Sequence, residues 1–533
     1  MKRALVFAAA AVFAVIGVAG STATTSSKLD RQSAAQKILT GKAGKYLTSP
    51  AQIALGMIQR KDNQLAPEHL KLGPARTAGG GLGPAAPSFT NVRVNDPSLD
   101  GNQVDQTTQS ETSVGVSGSN VVVGYNDSQK TGLFLTAGSS LSGVSYSSDG
   151  GATFKDGGSI PNTPEFVNFG DPWVASDRAG NMYYSELALD AFNQNLDVAV
   201  AKSTDGGKTW SNPVPVKRPP FEVFYSGDKD AMTVGPDPSK KTQDDIYVAY
   251  DDFVFDFTTG DEFLGLPVAR STDGGQTWTV SYADKIAPDF SGCSFGQYIG
   301  AVPIVAKDGT LYVSAEKIAV DDPNCEGAPT TFSEWIFKST DGGQTFGPGV
   351  KISDVTTSVP NGLLKLGEGK YMRNLEFPTM ALSGNALYVA WNDGASGNSH
   401  IRLAKSTDGG QTWSLSWATQ GSNDELQPSL TGDKDLHLLY YRRNNNNTLD
   451  AYVANSSNGS SFVAQRVSTV SSPGVFTIPQ FDPIIASAYM GDYIGSATDG
   501  SRQYFAWGDN RDSVTNFMWP QGRNDPDVFF AKQ

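Results

Sequence analysis

Carboxylates recur at regular places along this 533-residue chain. Glu111, Asp171, Asp230, Glu376 and Asp492 each stand just ahead of an alternating, strand-like run, and Asp127, Glu186, Asp251, Glu316, Asp393 and Asp509 each stand just after one. Acids that a fold crowds together oppose one another's ionisation, so some keep their protons near neutral pH and serve as general acids, general bases or cation ligands. Asp492, Asp509, Glu376 and Asp393 are the candidate catalytic groups. The alternative at any single position is a turn cap, because an Asp or Glu at a strand end accepts nearby backbone N–H groups; the recurrence is what favours a site. Arginines form the second set: Arg373, Arg442, Arg443 and Arg511 fall in loops beside the same strand ends. A guanidinium there binds a ligand carboxylate or phosphate through two parallel bonds, or else serves as counter-ion to the acids. Arg373, Arg442, Arg511 and the loop aromatic Tyr493 are the candidate ligand-binding groups.

Other chemistries find less support. Only His69, His400 and His437 occur, which argues against a histidine-rich zinc or copper centre. No resident cofactor is expected; calcium held by Asp228, Asp230, Asp251 and Asp252 stays open, although their spacing is not that of an EF-hand. A net charge of -14 disfavours nucleic acid and anionic membrane as partners.

The elements that must position these side chains are announced by a repeat. Ser-Thr-Asp-Gly-Gly-x-Thr-Trp/Phe begins at Ser203, Ser271, Ser339 and Ser406, with a close copy at Ser147 and a weaker one, with Asn458 for Asp, at Ser456. Asp followed by two glycines is the composition of a tight turn in which Gly takes positive φ and the carboxylate accepts backbone N–H groups; the closing aromatic then starts a strand. Successive Asp or Asn positions are 56, 68, 68, 67 and 50 residues apart, which suits one four-stranded sheet per repeat. Seven inner hairpins are read against six of these turns: Thr112 to Tyr125, Pro172 to Ser185, Ala231 to Tyr250, Val302 to Ala315, Phe377 to Trp391, Gln427 to Tyr441 and Tyr493 to Trp507. The last hairpin is followed by 527–533 and then the chain stops, so 89–94 is expected to supply the missing outer strand and leave no open edge. The expected fold is all-β, a seven-bladed β-propeller closed by an N-terminal strand, with six blades as the less favoured count.

The octapeptides resemble the Asp-box, or bacterial neuraminidase repeat, of the sialidase-like superfamily, and the resemblance covers roughly 88–533. It implies a propeller in which the box is a structural turn on the face away from the ligand site. In sialidases three arginines hold the sugar carboxylate, an Asp is acid and base, and a Tyr is nucleophile. This chain departs from that pattern in blade count and in lacking an Arg-Ile-Pro motif ahead of the first blade, which leaves Arg373, Arg442 and Arg511 as its arginines. The resemblance implies action on extracellular glycans, by sialidase-like glycoside hydrolysis through carboxylates at the channel mouth. A non-catalytic propeller that binds glycan or protein is the alternative.

Met1-Lys2-Arg3, the apolar run to Val18 and the small residues after it read as a cleaved secretory signal over 1–23. Residues 24–87 read as a helical leader ending in a Gly/Pro-rich linker, and 88–533 as the propeller. With export, the two cysteines, Cys293 and Cys325, are expected to pair. A monomer is expected, secreted or periplasmic, with no membrane insertion.

Overall fold

The computed structural model describes residues 89–100, 107–130, 139–190, 193, 195–287, 294–322, 324–359, 362–367, 370–476, 490–515 and 520–533. The signal and leader readings over 1–87 lie outside these residues, as does Cys293 of the expected Cys293–Cys325 pair.

The described chain is all-β apart from one short 3-10 turn, Pro97–Leu99. Four-strand antiparallel meanders follow one another along it. The first is Gln109–Ser117, Asn120–Asp127, Ser142–Ser147 and Lys155–Ser159. The second is Trp173–Ser176, Met182–Asp190, Asn195–Ser203 and Val214–Pro215. The third runs Val223–Pro236, Asp244–Asp256, Glu262–Ser271 and Thr279–Ile286, and a single parallel pair, Ser226 with Leu196, joins it to the second. The fourth is Phe295–Val305, Leu311–Val320, Thr331–Ser339 and Val350–Val355; the fifth is Thr379–Ser383, Ala386–Asp393, His400–Ser406 and Ser414–Trp417. The sixth is Glu425–Gly432, Leu436–Arg443, Thr448–Ser456 and Val463–Arg466. The last is assembled from both ends of the described chain: Gly495–Thr498, Gln503–Val514 and Arg523–Lys532 are completed by Val92–Arg93, which pairs through Val92 with Phe530 and Arg93 with Phe529. A small sheet of Leu363–Lys365, Lys370–Arg373 and Val475–Phe476 lies outside these meanders.

The second strand of each meander reads as a nearly unbroken apolar run because it is covered on both faces. Val121, Val122 and Val123 are all fully buried. The alternation of a strand sends Val121 and Val123 against Tyr504, Ala506 and Phe530 of the last meander, and Val122 against Val174, Met182 and Tyr184 of the second. Neighbouring sheets thus pack face to face, with their first strands against each other. Gln109–Ser117 touches both Trp173–Ser176 and Gly495–Thr498.

The octapeptide turns are built from side-chain bonds rather than from strand pairing. In the copy at Ser339, the hydroxyl donates to Asp341 Oδ1 at 2.7 Å while accepting from Gly343 N at 2.8 Å. Asp341 Oδ1 also accepts from Gln344 N and Thr345 N, both at 3.0 Å, and Oδ2 takes the Thr345 hydroxyl at 2.5 Å. These donors hold the Asp341 carboxyl down at about 2, against the opposing effect of burial. Gly207, at φ 87°, shows why the second glycine is required: a Cβ there would collide with Val122 of the preceding meander. Asn458 keeps two backbone bonds, to Ser460 N and Ser461 N. Replacing Asp341 with Ala is expected to lower stability by about 1 kcal/mol, the size of a lost helix-cap carboxylate, read as a lower urea midpoint with unchanged slope. The turn's contribution is fully present above the ordinary carboxylate range and is lost as pH falls toward 2.

Candidate functional site

Register places each octapeptide turn and each first-strand start at opposite ends of a meander. Ser147, at the turn, pairs with Val121, which follows the far end of the first strand, whereas Gln109 at that strand's start pairs with Asp127. At the start, the first strands are interrupted. Pairing skips from Ser110 to Ser113, from Asp228 to Ala231, from Ile299 to Val302 and from Leu426 to Ser429. Such bulges re-aim side chains, and a left-handed residue sits in each gap.

Most of these left-handed residues are not glycine. Glu111 (φ 49°), Asp171 (φ 55°), Lys229 (φ 49°) and Gln427 (φ 48°) occupy the strained region, joined by Gly300 (φ 66°) and Gly491 (φ 91°). Each non-glycine member carries a backbone cost on the order of 1 kcal/mol that the local sequence alone does not demand. The interruptions converge on one hollow. It is walled by Trp173, Lys229, Phe377, Gln427, Asp492 and Tyr493, and completed by Asn392 of a second strand together with smaller residues, apolar apart from Thr379 and Ser429.

Lys229 is the centre of this arrangement. Its Nζ sits 3.4 Å from the Tyr493 ring centroid, 5.6 Å from Phe377 and 6.0 Å from Trp173. The Tyr493 hydroxyl donates to Pro172 O at 3.1 Å, and burial first, then the Glu111 charge, pushes its pKa well up, so the phenol stays protonated and acts as a wall. Around the lysine stand the acids. Asn126 links two of them, donating from Nδ2 to Glu111 Oε2 at 2.9 Å and accepting Asp171 N at 2.8 Å. Glu111 Oε1 accepts Asp492 N at 2.9 Å. Asp171 is raised well above the usual carboxylate range, by burial first and then by the Glu111 and Asp228 charges. Asp230, which accepts the Ser185 hydroxyl, is raised by burial to about 7.

Of the sequence-derived candidates, Arg373, Asp492 and Tyr493 meet here. Asp492 is the ion-pair partner of Arg373, whose Nε donates to Oδ1 at 2.6 Å and whose second nitrogen donates to Oδ2. Gln427 braces the pair, donating from Nε2 to Gly491 O at 2.7 Å and Arg373 O at 3.3 Å. Removing Arg373 as Ala would leave a buried carboxylate without its guanidinium. The expected cost is about 2 kcal/mol, recovered in part by the Arg373→Ala/Asp492→Ala double variant, and a double-mutant cycle by urea unfolding measures it.

The remaining candidates lie elsewhere and are bound up in structural contacts. Asp509 accepts Trp507 Nε1 at 3.1 Å, Arg511 N at 3.0 Å and the Arg511 guanidinium at 2.5 Å. Asp393 repeats the pattern with Trp391 Nε1 at 3.3 Å and Ala395 N at 2.8 Å. In both, the turn-capping role describes the contacts. Arg442 pairs with Glu425 at 2.8 Å, and His400 holds the other oxygen of Glu425 at 2.9 Å. Arg443 pairs with Asp424. Glu376 accepts Ser358 N at 2.7 Å and the Ser358 hydroxyl at 2.6 Å, and is raised by burial to about 7. Its neighbourhood is a second acid cluster with Glu316, Glu334 and Asp393. Among the loop aromatics, Phe166, Phe169, Phe224, Tyr225 and Tyr298 are buried and pack the sheets. Among the described residues no group of three or more His, Cys, Asp or Glu is arranged to hold a metal ion, Asp228, Asp230, Asp251 and Asp252 included. No helix among them is long and apolar enough to cross a membrane.

Sequence reading missed Lys229, Trp173, Phe377 and Gln427. The signal available for Lys229 was its position: aligning Ser110–Ser113, Asp228–Ala231 and Leu426–Ser429 by their pairing puts Glu111, Lys229 and Gln427 in one column.

The BNR/Asp-box repeat family matches residues 404–415, which hold the octapeptide turn at Ser406. The Asp-box repeat expected from the sequence is thereby matched at this copy, whose Ser406 hydroxyl donates to Asp408. No curated protein matches the chain in sequence. Among solved structures, a Dyadobacter fermentans protein of unknown function is similar at 12% identity over 84% of this chain and 98% of its own, with a TM-score of 0.41. The Penicillium chrysogenum α-L-arabinanase complexed with arabinobiose is similar at 14% identity over 69% of this chain and 98% of its own, TM-score 0.44. The phage phi92 endosialidase is similar at 10% identity over 84% and 69%, TM-score 0.43.

Proposed function

We propose that the chain is an exported, glycan-acting β-propeller whose working site is the hollow at the starts of the first strands. In this reading the meanders are the seven blades of one ring, closed by the pairing of Val92–Arg93 with Arg523–Lys532. One observation carries the reading: Lys229 and Gln427 line the hollow at left-handed φ, and Glu111 and Asp171, also at left-handed φ, stand behind it, Glu111 on the backbone of the lining Asp492 and Asp171 within reach of the Lys229 charge. Backbone strain repeated at one register, turning polar side chains toward an aromatic wall, is what a ligand site requires and a turn cap does not.

The chemistry best supported is glycoside hydrolysis. Burial and the adjacent Glu111 charge disfavour the ionised form of Asp171 and raise its pKa well above the usual carboxylate range, the direction a general acid needs. Asp171 would protonate the leaving oxygen as the glycosidic C–O bond breaks, while Glu111, fixed by Asn126 and Asp492 N, would orient the water that bonds to the anomeric carbon in its place and accept that water's proton. The route does not pass through an arginine triad, since Arg373, Arg442 and Arg511 each carry a carboxylate partner. Release of reducing ends from a panel of neutral and acidic oligosaccharides tests it, with Asp171→Asn as the control variant. No turnover on any member would overturn the hydrolase reading.

The same ion pairs favour a second reading, a glycan-binding propeller without catalysis, in which Arg373–Asp492 is scaffold. Binding of glycans without turnover identifies it.

A further inference from the structure

The hollow contains polar atoms that have no hydrogen-bond partner among the described residues. Lys229 is only 8% exposed, lines the hollow, and its Nζ takes part in no hydrogen bond or ion pair among the described residues; three aromatic rings face it, and the Asp171, Asp230 and Asp251 carboxyls act on its charge from beyond ion-pair distance. Gln427 is 3% exposed, and its Oε1 has no partner. Its amide orientation is fixed, because Nε2 donates to two carbonyls. Asn392 is fully buried and also lines the hollow with Oδ1 unpartnered. Its orientation is fixed as well: the Ser358 hydroxyl gives its proton to Glu376 Oε1, so Ser358 Oγ is the acceptor for Asn392 Nδ2 at 3.1 Å.

One ammonium donor therefore lines the same small space as two amide acceptors; the other polar residues of its lining, Asp492, Thr379 and Ser429, already have partners in Arg373, Leu430 N and Ser496. Leaving such buried groups unsatisfied costs about 1–3 kcal/mol each, so the hollow is shaped for an occupant that both accepts and donates. A carboxylate or phosphate only accepts, and it would meet Gln427 Oε1 and Asn392 Oδ1 as like partial charges. An ammonium only donates, and it would meet Lys229. A hydroxyl does both.

Size narrows the choice further. The hollow has about 40 Å³ of free volume, room for roughly three waters or a two- to three-atom group, and too little for a sugar ring. Resting on the glycan-acting reading, we infer that the hollow takes the hydroxymethyl or vicinal-hydroxyl tip of a neutral sugar at a chain end. The ring lies outside against Trp173 and Phe377, Lys229 donates to a hydroxyl oxygen, and Gln427 and Asn392 accept hydroxyl protons. The site therefore reads chain termini and discriminates against uronic and sialic acids.

The test uses matched neutral and acidic ligands on the full chain. Methyl glucoside is compared with methyl glucuronide, and glycerol with glycerate, by saturation-transfer NMR and calorimetry, in wild type, Lys229→Met and Gln427→Glu. The neutral member of each pair is expected to bind at least tenfold more tightly, and Lys229→Met to weaken it at least tenfold. Gln427→Glu keeps an acceptor but adds negative charge, so it is expected to retain the neutral ligand and widen the discrimination; it serves where Lys229→Met does not fold. Preference for the acidic members, neutral binding unchanged in Lys229→Met, or no binding in either series overturns the inference. Neutral binding that follows these variants without hydrolysis of any glycan overturns the hydrolase reading alone.

Discussion

Asp171→Asn is expected to reduce glycan hydrolysis by about 10²–10⁴-fold while leaving binding of neutral sugars and the unfolding midpoint close to wild type. The substitution is nearly isosteric and removes the carboxyl whose protonated form burial and its acidic neighbours favour. Glu111, Asp228 and Asp230 lie close enough to disfavour a further negative charge, with Lys229 opposing them. The active form is the protonated one, so wild-type kcat falls as pH rises through the raised pKa of Asp171. In the Asn variant the residual rate loses that alkaline limb. A variant whose rate falls with its limb unchanged would assign the limb to another group, with Asp230, raised to about 7, the next to replace.

Stability itself is expected to fall on the alkaline side, and Glu334→Gln is expected to remove much of the fall. Glu316 and Glu334 face each other across neighbouring strands, and both are pushed well up by burial. Both Glu334 oxygens and Glu316 Oε1 have no hydrogen-bond partner, while Glu376 and Asp393 add like charge. A carboxyl whose folded pKa is raised contributes fully below its unfolded value, and its contribution is lost as pH rises through the folded value. For Glu376 that window runs from 4.5 to about 7, roughly 3 kcal/mol at most. Glu316 and Glu334 extend the loss to higher pH. Wild type is therefore expected to melt at progressively lower temperature between pH 6 and pH 9, and Glu334→Gln, neutral throughout, to melt higher than wild type at pH 9. Equal alkaline loss in both proteins would show that the cluster does not govern it.

The particular residues show how much of this was legible beforehand. The octapeptides named their turns because all their bonds close within five residues, Ser339 to Asp341, Gly343 and Thr345. The first two strands of each meander followed from apolar alternation between those turns. The acids ahead of the strands were also visible: Asp492 lines the hollow, and Glu111 and Asp171 lie behind it, Glu111 accepting Asp492 N. Asp393 and Asp509 looked equivalent to them in sequence, yet each is taken up by the tryptophan two residues earlier and by a backbone N–H two residues later. Charge at a strand end does not by itself say which way the side chain turns; the bulge and its positive φ do.

Sequence alone therefore determined the repeat, the turn chemistry, the all-β class and the order of hairpins, since these rest on contacts between near neighbours and on a period of two. Tertiary structure alone decided which polar groups are free to act. Arg373 is neutralised by Asp492, 119 residues away, while Lys229 makes no ion pair among the described residues because Trp173, Phe377 and Tyr493 hold its Nζ and the surrounding carboxyls reach it only at longer range. A charge finds its partner through space, and the distances that settle the matter exist only once several meanders bring their first strands to one point.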